Sequence, residues 1–286
     1  MKHVIFLFFM FCCSIQGVSA ELKDNGWEID TTTSVLTINS QTPLRNYKFE
    51  DYSYYDRKYW TNYSDKYEFL RFGNNIDSIG DLSFLYCNNI KKISFPDKLK
   101  KIGNNSFDGC SKLDSIYIPE GTLYLGESAF SRCNKLKFIF IPNSVCRIGS
   151  FAFSRCGLID CTIPKSTKMI NEGLFFECFD LQHVYMHDSV FAIDDWAFYK
   201  CESLKEIDIP ISVEKIGSAV FQGCVSLERI YFHYTDFCTI HIKKDFCEGL
   251  DTSKIKIIVP KGLKKKYTLF LFDFLNNDFL IIEENV

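Results

Sequence analysis

The chain has 286 residues, of which 47% are hydrophobic and 24% are charged, and its formal net charge is −3. A chain with this much apolar side-chain material can bury a large core, so the composition excludes an intrinsically disordered protein. The small net charge gives no indication of nucleic-acid binding, which normally uses a clustered basic face.

The first twenty residues have the three parts of a secretory signal peptide. Lys2 and His3 are basic, Val4–Cys13 is apolar, and Val18–Ala20 is a small-residue cleavage site. An apolar run of this length is too short to span a bilayer, which argues against the alternative of a membrane anchor. We therefore expect residues 1–20 to be a signal peptide and the mature chain to lie outside the cytosol.

The rest of the sequence contains no obvious membrane segment. Its most apolar later stretch, Leu269–Ile282, is short and is interrupted by four Asp and Asn residues. The final residues lack the hydrophobic tail of a GPI-anchor signal. We expect soluble secretion, or attachment to a cell surface through another molecule, with no transmembrane helix in the mature chain.

A 23-residue repeat occupies the middle of the chain. Eight cysteines recur at intervals of 23 residues, with one interval of 22, and the same residue types recur between them. The cysteines are Cys87, Cys110, Cys133, Cys156, Cys178, Cys201, Cys224 and Cys247. The unit that begins at Cys133 shows the pattern as Leu136, Ile139, Ile141, Pro142, Val145, Ile148, Gly149, Ala152 and Phe153.

Each repeat unit has the pattern of one coil of a solenoid. The alternation that places Ile139 and Ile141 on one face predicts a short strand with one buried side. Pro142 ends this strand because it has no N–H to donate, and Gly149 permits a tight bend or a positive φ. One coil cannot close a core alone, whereas stacked coils can cover each other. The sequence AFSRC, which occurs at 129–133 and 152–156, then places Ala, Phe and Cys inward and Ser and Arg outward.

The pattern C-x-x-L-x-x-I-x-I-P-x-x-V-x-x-I-G-x-x-A-F resembles that of BspA-like leucine-rich repeat proteins, known from bacterial and parasitic-protist cell surfaces, over about Asp65–Pro260. The resemblance implies an α/β-type, mostly β, right-handed solenoid with a parallel strand ladder and short turns or 3-10 segments. Trp27–Asp30 and Val35–Ile38 resemble the N-terminal β-hairpin cap of that family. Val259–Leu263 with Tyr267 resembles its final coil.

The sequence departs from the family pattern in several places. Ser64 stands where a first cysteine would fall, the Cys156 unit is one residue short, and His187 and His233 replace the strand-ending proline. The pattern breaks down after His233, so the spacing of Cys247 is open to coincidence. We divide the chain into a signal peptide (1–20), an N-terminal β cap (21–64), a leucine-rich repeat solenoid (65–247) and a C-terminal coil and cap (248–286).

Eleven cysteines follow the signal peptide, and a disulfide framework is the default for a secreted protein. Cysteines in register on stacked coils point the same way, which does not readily give disulfide geometry. A buried thiol also packs well as a small apolar group. We favour packed thiols for the ladder, with disulfides as the alternative, and we place Cys161 in the core.

One group of residues has a spacing that zinc could accept. His233, Cys238, His241 and Cys247 form an H-x4-C-x2-H-x5-C pattern. If Cys238–Ile242 is a strand, however, Cys238 and His241 point to opposite faces and cannot converge on one ion. We therefore predict an irregular last coil and no metal site.

The sequence contains none of the common catalytic motifs. It has no G-x-S-x-G elbow, no glycine-rich phosphate loop and no H-E-x-x-H pair. Carboxylates such as Glu202, Glu206 and Asp208 fall on solvent-facing positions of a coil. We predict that the protein is not an enzyme and uses no cofactor.

The outward positions of the predicted strands carry aromatic residues near the middle of the array. Solenoids bind through the exposed face of their stacked strands, and exposed aromatic patches mark interaction sites. The alternatives are that a biased base composition supplies the aromatic residues, or that the N-terminal cap covers this face. The candidate ligand-binding residues are Tyr117, Phe138, Phe140, His183, Tyr185 and Tyr231.

Two N-glycosylation sequons are candidate modification sites, at Asn62 and at Asn104. Asn104 follows a bend glycine, so we expect it to be exposed.

The family resemblance implies a secreted or cell-surface module for adhesion and protein binding. Its partner would be a protein of a host, a matrix or another cell surface, and not a nucleic acid. The alternative is a structural coat protein that associates with copies of itself.

Overall fold

The computed structural model describes residues 22–24, 26–39, 62–235, 240–271 and 280–284. The predicted signal peptide and most of the later part of the predicted cap lie outside these ranges. Within them, no helix combines the length and the apolar character that crossing a bilayer requires.

An antiparallel hairpin begins the fold. Strand β2 (Trp27–Asp30) pairs with β3 (Val35–Ile38), and β1 (Leu22–Asp24) adds to the other edge of β2. Strand β3 then pairs in parallel with β4 (Phe69–Phe72), which starts the repeat array. This confirms the predicted hairpin cap. Its inward side chains are buried, namely Trp27, Ile29, Leu36 and Ile38.

Each coil after the cap contributes two strands, which lie beside the equivalent strands of neighbouring coils in two parallel ladders. Strand pairing within each ladder is interrupted, so the ladders divide into sheets of two to five strands. The long-strand ladder continues from β4 through β6 (Lys92–Ser94), β8 (Ser115–Tyr117), β10 (Phe138–Phe140), β12 (Asp160–Thr162), β14 (His183–Tyr185), β16 (Glu206–Ile209), β18 (Arg229–Phe232) and β20 (Lys256–Pro260). The short-strand ladder consists of β5 (Ser78–Ile79), β7 (Lys101–Ile102), β9 (Tyr124–Leu125), β11 (Arg147–Ile148), β13 (Met169–Ile170), β15 (Ala192–Ile193), β17 (Lys215–Ile216) and β19 (His241–Ile242).

The predicted inward positions of the strands form the core. Ile139 and Ile141 are buried as expected, and so is Cys161 on β12. The pairing is in register from coil to coil, for example Ile139 opposite Ile116. Identical positions of successive coils therefore lie directly above one another, and the mostly β solenoid implied by the sequence is confirmed.

A column of phenylalanine rings fills the interior between the short strands and the next cysteine. Adjacent rings stack with centroids 5.1–6.1 Å apart. Aromatic pairs at this distance contribute beyond their buried area. The rings are those of Phe84, Phe107, Phe130, Phe153, Phe175, Phe198 and Phe221, and all are fully buried.

The cysteine ladder runs beside the phenylalanine column as packed thiols. Each thiol from Cys110 to Cys224 donates a hydrogen bond to the carbonyl oxygen of the phenylalanine in the preceding coil, at 3.0–3.4 Å. Burial raises the pKa of these thiols. No disulfide joins any of the ten cysteines in the described ranges, which confirms the favoured interpretation of the ladder.

The two copies of AFSRC differ from expectation at serine. Ala129 and Phe130 are buried as predicted, but Ser131 and Ser154 are buried as well, with relative exposures of 8% and 5%. Adjacent coils close over these small side chains: the carbonyl of Ser154 accepts a hydrogen bond from the amide of Arg132 at 2.8 Å.

The bend glycines are required by close packing. Gly149 does not have a positive φ. A Cβ added to it would lie 2.4 Å from the backbone nitrogen of Glu127, and one on Gly126 would lie 2.5 Å from the carbonyl carbon of Gly103. The coils therefore approach each other here more closely than a side chain allows.

We expect Gly126→Ala to lower the free energy of unfolding by about 1–2 kcal/mol, since the added methyl group overpacks two backbones. Urea unfolding measures the change. Gly73→Ala is the control, because its Cβ would meet its nearest atom at an ordinary 3.4 Å. Equal losses in the two variants would contradict the close-packing explanation.

The shortened unit is accommodated at Gly157. One residue is missing between Cys156 and Leu158, and a Cβ on Gly157 would lie 2.4 Å from the carbonyl oxygen of Asn134. The deletion therefore pulls this coil against its predecessor, which only glycine permits. Both neighbouring core positions, Cys156 and Leu158, stay buried.

The last coil is longer than the others. Lys215 of β17 pairs with His241 of β19, a separation of 26 residues, and the amide of Phe221 bonds to the carbonyl of Phe246. In the preceding coil, the equivalent amide of Phe198 bonds to the carbonyl of Val220, the residue directly before the ladder phenylalanine Phe221. Phe246 is therefore equivalent to Val220, and Cys247 occupies the position of a ladder phenylalanine. Its 23-residue spacing from the previous cysteine is therefore coincidental.

The C-terminal part extends the long-strand ladder. Strand β20 follows a 3-10 helix (Thr252–Lys254), and the α-helix α1 (Lys264–Leu271) connects β20 towards β21 (Leu280–Glu284), which pairs with β20 in parallel. The hydroxyl of the buried Tyr267 donates to the carbonyl of Tyr234 at 2.9 Å, which ties α1 to the last coils.

Candidate ligand-binding face

The candidate residues lie on the outer face of the long-strand ladder. Tyr117, Phe138, Phe140 and Tyr185 are 65%, 47%, 45% and 56% exposed, while the residues between them on the same strands are buried. These exposed rings bury little apolar surface in the core and so contribute little to folding stability. The strands hold them in contact with water on a rigid support.

Three of the rings form one cluster, which we call the aromatic cluster (Tyr117, Phe138 and Phe140). The rings of Tyr117 and Phe138 lie 5.4 Å apart, and Phe140 is the register partner of Tyr117. The cluster therefore spans two adjacent strands, β8 and β10, and presents a continuous apolar surface.

His183 and Tyr185 form a second, smaller group on β14. Their rings stack with centroids 6.2 Å apart, and Nδ1 of His183 lies 2.8 Å from Oδ1 of Asp160. Strand β12 presents only Asp160 and Thr162 between this group and the aromatic cluster. The expected patch in the middle of the array is thus two aromatic groups separated by a polar strand.

Tyr231 lies apart from both groups, at a charged end of the face. It is half-buried and is the register partner of Asp208, whose carboxylate contacts Nε2 of His233 at 2.7 Å. On the same strand, Arg229 forms an ion pair with Glu206. This end of the face is polar and internally paired.

The described part of the cap does not cover the face. Strands β1 to β3 continue the ladder edge to edge through β4 and do not fold over it. Residues 26–39 therefore leave the aromatic cluster open to solvent.

The two sequons differ in their surroundings. Asn62 is exposed. Asn104 is also exposed, but its Oδ1 accepts a hydrogen bond from the amide of Glu127 at 2.9 Å, and Ser106 of its sequon is fully buried. The folded chain presents Asn62 more openly than Asn104.

The histidine and cysteine residues of the zinc-like pattern do not converge in the described ranges. His233 contacts Asp208, His241 is exposed on β19, and Cys247 is buried. Cys238 lies outside those ranges. Within the described part of the chain, no group of three or more His, Cys, Asp or Glu side chains could hold a metal ion.

Sequence reasoning about ligand binding considered only the long strands and missed the outer face of the short ones. There Lys101, Tyr124 and Arg147 follow one another in register on β7, β9 and β11, all exposed. The sequence contains the pattern that would have predicted this face, because each of the three residues directly precedes an inward Ile or Leu of the repeat and must therefore point outward.

The repeat matches the family model described as "BspA type Leucine rich repeat region" in six copies, over residues 56–179 and 133–241. Among solved structures, similar chains include the leucine-rich repeat protein TpLRR of T. pallidum (26% identity, 57% of this chain and 65% of that chain, TM-score 0.46). A leucine-rich repeat protein of Eubacterium ventriosum follows (22% identity, 83% and 77%, TM-score 0.43). The pneumococcal vaccine antigen PcpA is also similar (18% identity, 94% and 100%, TM-score 0.32).

The chain spans about two thirds, 65%, of the length of the treponemal protein. No curated protein sequence matches the chain.

Proposed function

The chain belongs to the BspA-type leucine-rich repeat family, and on that premise we propose that it is a secreted or cell-surface protein that binds another protein in adhesion. The partner is a protein of a host, a matrix or another cell surface. We propose no catalytic role. The signal-peptide pattern of residues 1–20 supports the location.

The observation that carries the proposal is the aromatic cluster on the long-strand face. Its three rings are each between 45% and 65% exposed, and they are fixed by strands whose alternate residues are buried. Tyr and Phe are enriched in protein interfaces, and rings held on a sheet lose little conformational entropy on binding. His183 and Tyr185 would extend the contact to β14.

Replacing Phe138, Phe140 and Tyr185 together with Ser is expected to weaken partner binding tenfold or more and to leave thermal unfolding unchanged. All three side chains are exposed, so their loss removes contact area and not core. Binding of the labelled chain to cultured cells and to immobilised matrix proteins measures the effect.

The control for this triple variant is the double variant Phe179→Ser and Phe191→Ser. These rings are similarly exposed, at 46% and 44%, but lie off the long-strand face. A folded triple variant that binds as well as the unmodified chain would overturn the proposal.

The same surface distinguishes the proposal from a self-associating coat. Concentration-dependent assembly in light scattering, lost in the triple variant, would show that the aromatic cluster binds a second copy of the chain. A monodisperse monomer that binds cells would support the adhesion role.

A further inference from the structure

A groove runs beside the short-strand ladder on the N-terminal half of the solenoid. Its volume is about 430 Å³, and Lys101, Tyr124 and Arg147 form one wall. Gly126 and Gly149 lie in its lining, so no side chain fills it there. Because successive strands are about 4.8 Å apart, the two cations lie on either side of the Tyr124 ring, about 10 Å apart along the ladder.

The two cations of this groove have no acidic partner among the described residues. No carboxylate there lies within ion-pair distance of Lys101 or Arg147, although Glu127 also lines the groove. Two other basic residues of the strand ladders are held in ion pairs, namely Lys215 with Asp194 and Arg229 with Glu206. The groove therefore carries more positive than negative charge, and its two cations are not held in ion pairs with described residues.

The later coils show what a closed version of the same site looks like. Lys215 occupies the same repeat position as Lys101 and Arg147, and Asp194 occupies that of Gly126 and Gly149. The carboxylate of Asp194 lies 2.6 Å from Nζ of Lys215. At this one coil the bend position carries a side chain that neutralises the cation, whereas the bend positions of the coils before Lys101 and Arg147 are glycines, Gly80 and Gly126.

We propose that this groove, formed by Lys101, Tyr124 and Arg147, binds a sulfated linear glycan. Lys and Arg would bind sulfate groups on either side, and the Tyr124 ring would contact a sugar ring between them. The polar lining from Asn104 and Ser150 suits a hydroxyl-rich ligand, and the exposed Tyr124 ring offers a flat apolar surface for one face of a sugar. This site lies on a different face from the aromatic cluster and does not depend on protein binding there.

The test measures binding of a sulfated heparin hexasaccharide to the purified full chain by calorimetry. The double variant Lys101→Ser and Arg147→Ser is expected to bind at least tenfold more weakly. The charge-matched control, Lys215→Ser with Arg229→Ser, removes two cations that are already paired and is expected to change binding less than twofold. Circular dichroism confirms that each variant is folded.

Two comparison ligands identify the chemistry. The same hexasaccharide without sulfate is expected not to bind, and Tyr124→Ser is expected to weaken the sulfated ligand several-fold without changing the net charge. Equal losses in the two double variants would show a general charge effect and overturn the site. Equal binding of a polyglutamate peptide would overturn the assignment to a glycan, and absence of binding by the unmodified chain would overturn both.

Discussion

Replacing Phe153 with alanine is expected to lower the free energy of unfolding by about 3–5 kcal/mol, the cost of deleting a buried aromatic ring. Phe153 is fully buried, and its ring stacks between those of Phe130 and Phe175 at 6.1 and 6.0 Å. The variant would lose two ring contacts and leave a cavity between coils. Urea unfolding followed by circular dichroism measures the change.

The matched control is Phe140→Ala, the same substitution on the long strand of the same coil. Phe140 is 45% exposed, so its removal is expected to change stability by no more than about 0.5 kcal/mol. Coils of a solenoid contact only their neighbours, so a defect at Phe153 weakens the middle of the array. Similar losses in the two variants would show that the phenylalanine column is not the main source of stability.

Replacing Arg132 with glutamine is expected to cost about 3 kcal/mol at pH 7, because it leaves the carboxylate of Asp108 buried without a counter-charge. The side chain of Asp108 is 3% exposed, and Nε of Arg132 donates to its Oδ1 at 2.8 Å. Arg132 is itself 41% exposed, which places the expected cost at the lower end of the range for buried pairs.

The loss in Arg132→Gln is expected to depend on pH. Burial raises the pKa of Asp108 above its ordinary value, against the opposing effect of Arg132. Without Arg132 the pKa of Asp108 rises further. The free energy of unfolding of the variant is therefore highest at low pH, where Asp108 is protonated, and it falls as pH rises through the folded-state pKa. The gap between variant and unmodified chain should therefore be largest at pH 7 and shrink towards pH 4.

Arg155→Gln is the control for the charge argument. Arg155 contacts Glu177 at 2.8 Å, but Lys200 lies 3.6 Å from the same carboxylate and remains in the variant. A smaller loss with a flatter pH profile is expected. An equally large, pH-independent loss in both variants would contradict the role of Asp108 as a buried, singly compensated charge.

The repeat period was sufficient to predict most of the fold. Because each coil stacks in register on the next, a residue type repeated every 23 positions must occupy the same environment each time, which identified Ile139 and Phe153 as core and Phe140 as surface. The hairpin of Trp27–Asp30 and Val35–Ile38 was likewise visible in its alternating pattern.

The left-handed residues of each coil could not be predicted. Ser128 and Arg132 have φ values of 50° and 58°, a region where glycine is the usual residue. The next coil stabilises this conformation, because the amides of Ser128 and Arg132 donate to the carbonyls of Ser150 and Ser154. This is a contact between residues about 22 positions apart, and local propensity carries no information on it.

The candidate site shows the same division between sequence and tertiary structure. The sequence by itself determined the family, the coil and the outward positions of Tyr117, Phe138 and Phe140, since alternation along a strand fixes which side chains face water. Only the tertiary structure decided that β12 separates these rings from Tyr185, and that Lys101 and Arg147 have no acidic partner among the described residues, whereas Lys215 has Asp194. Those features depend on which side chains neighbouring coils bring together, and the spacing within one repeat does not specify them.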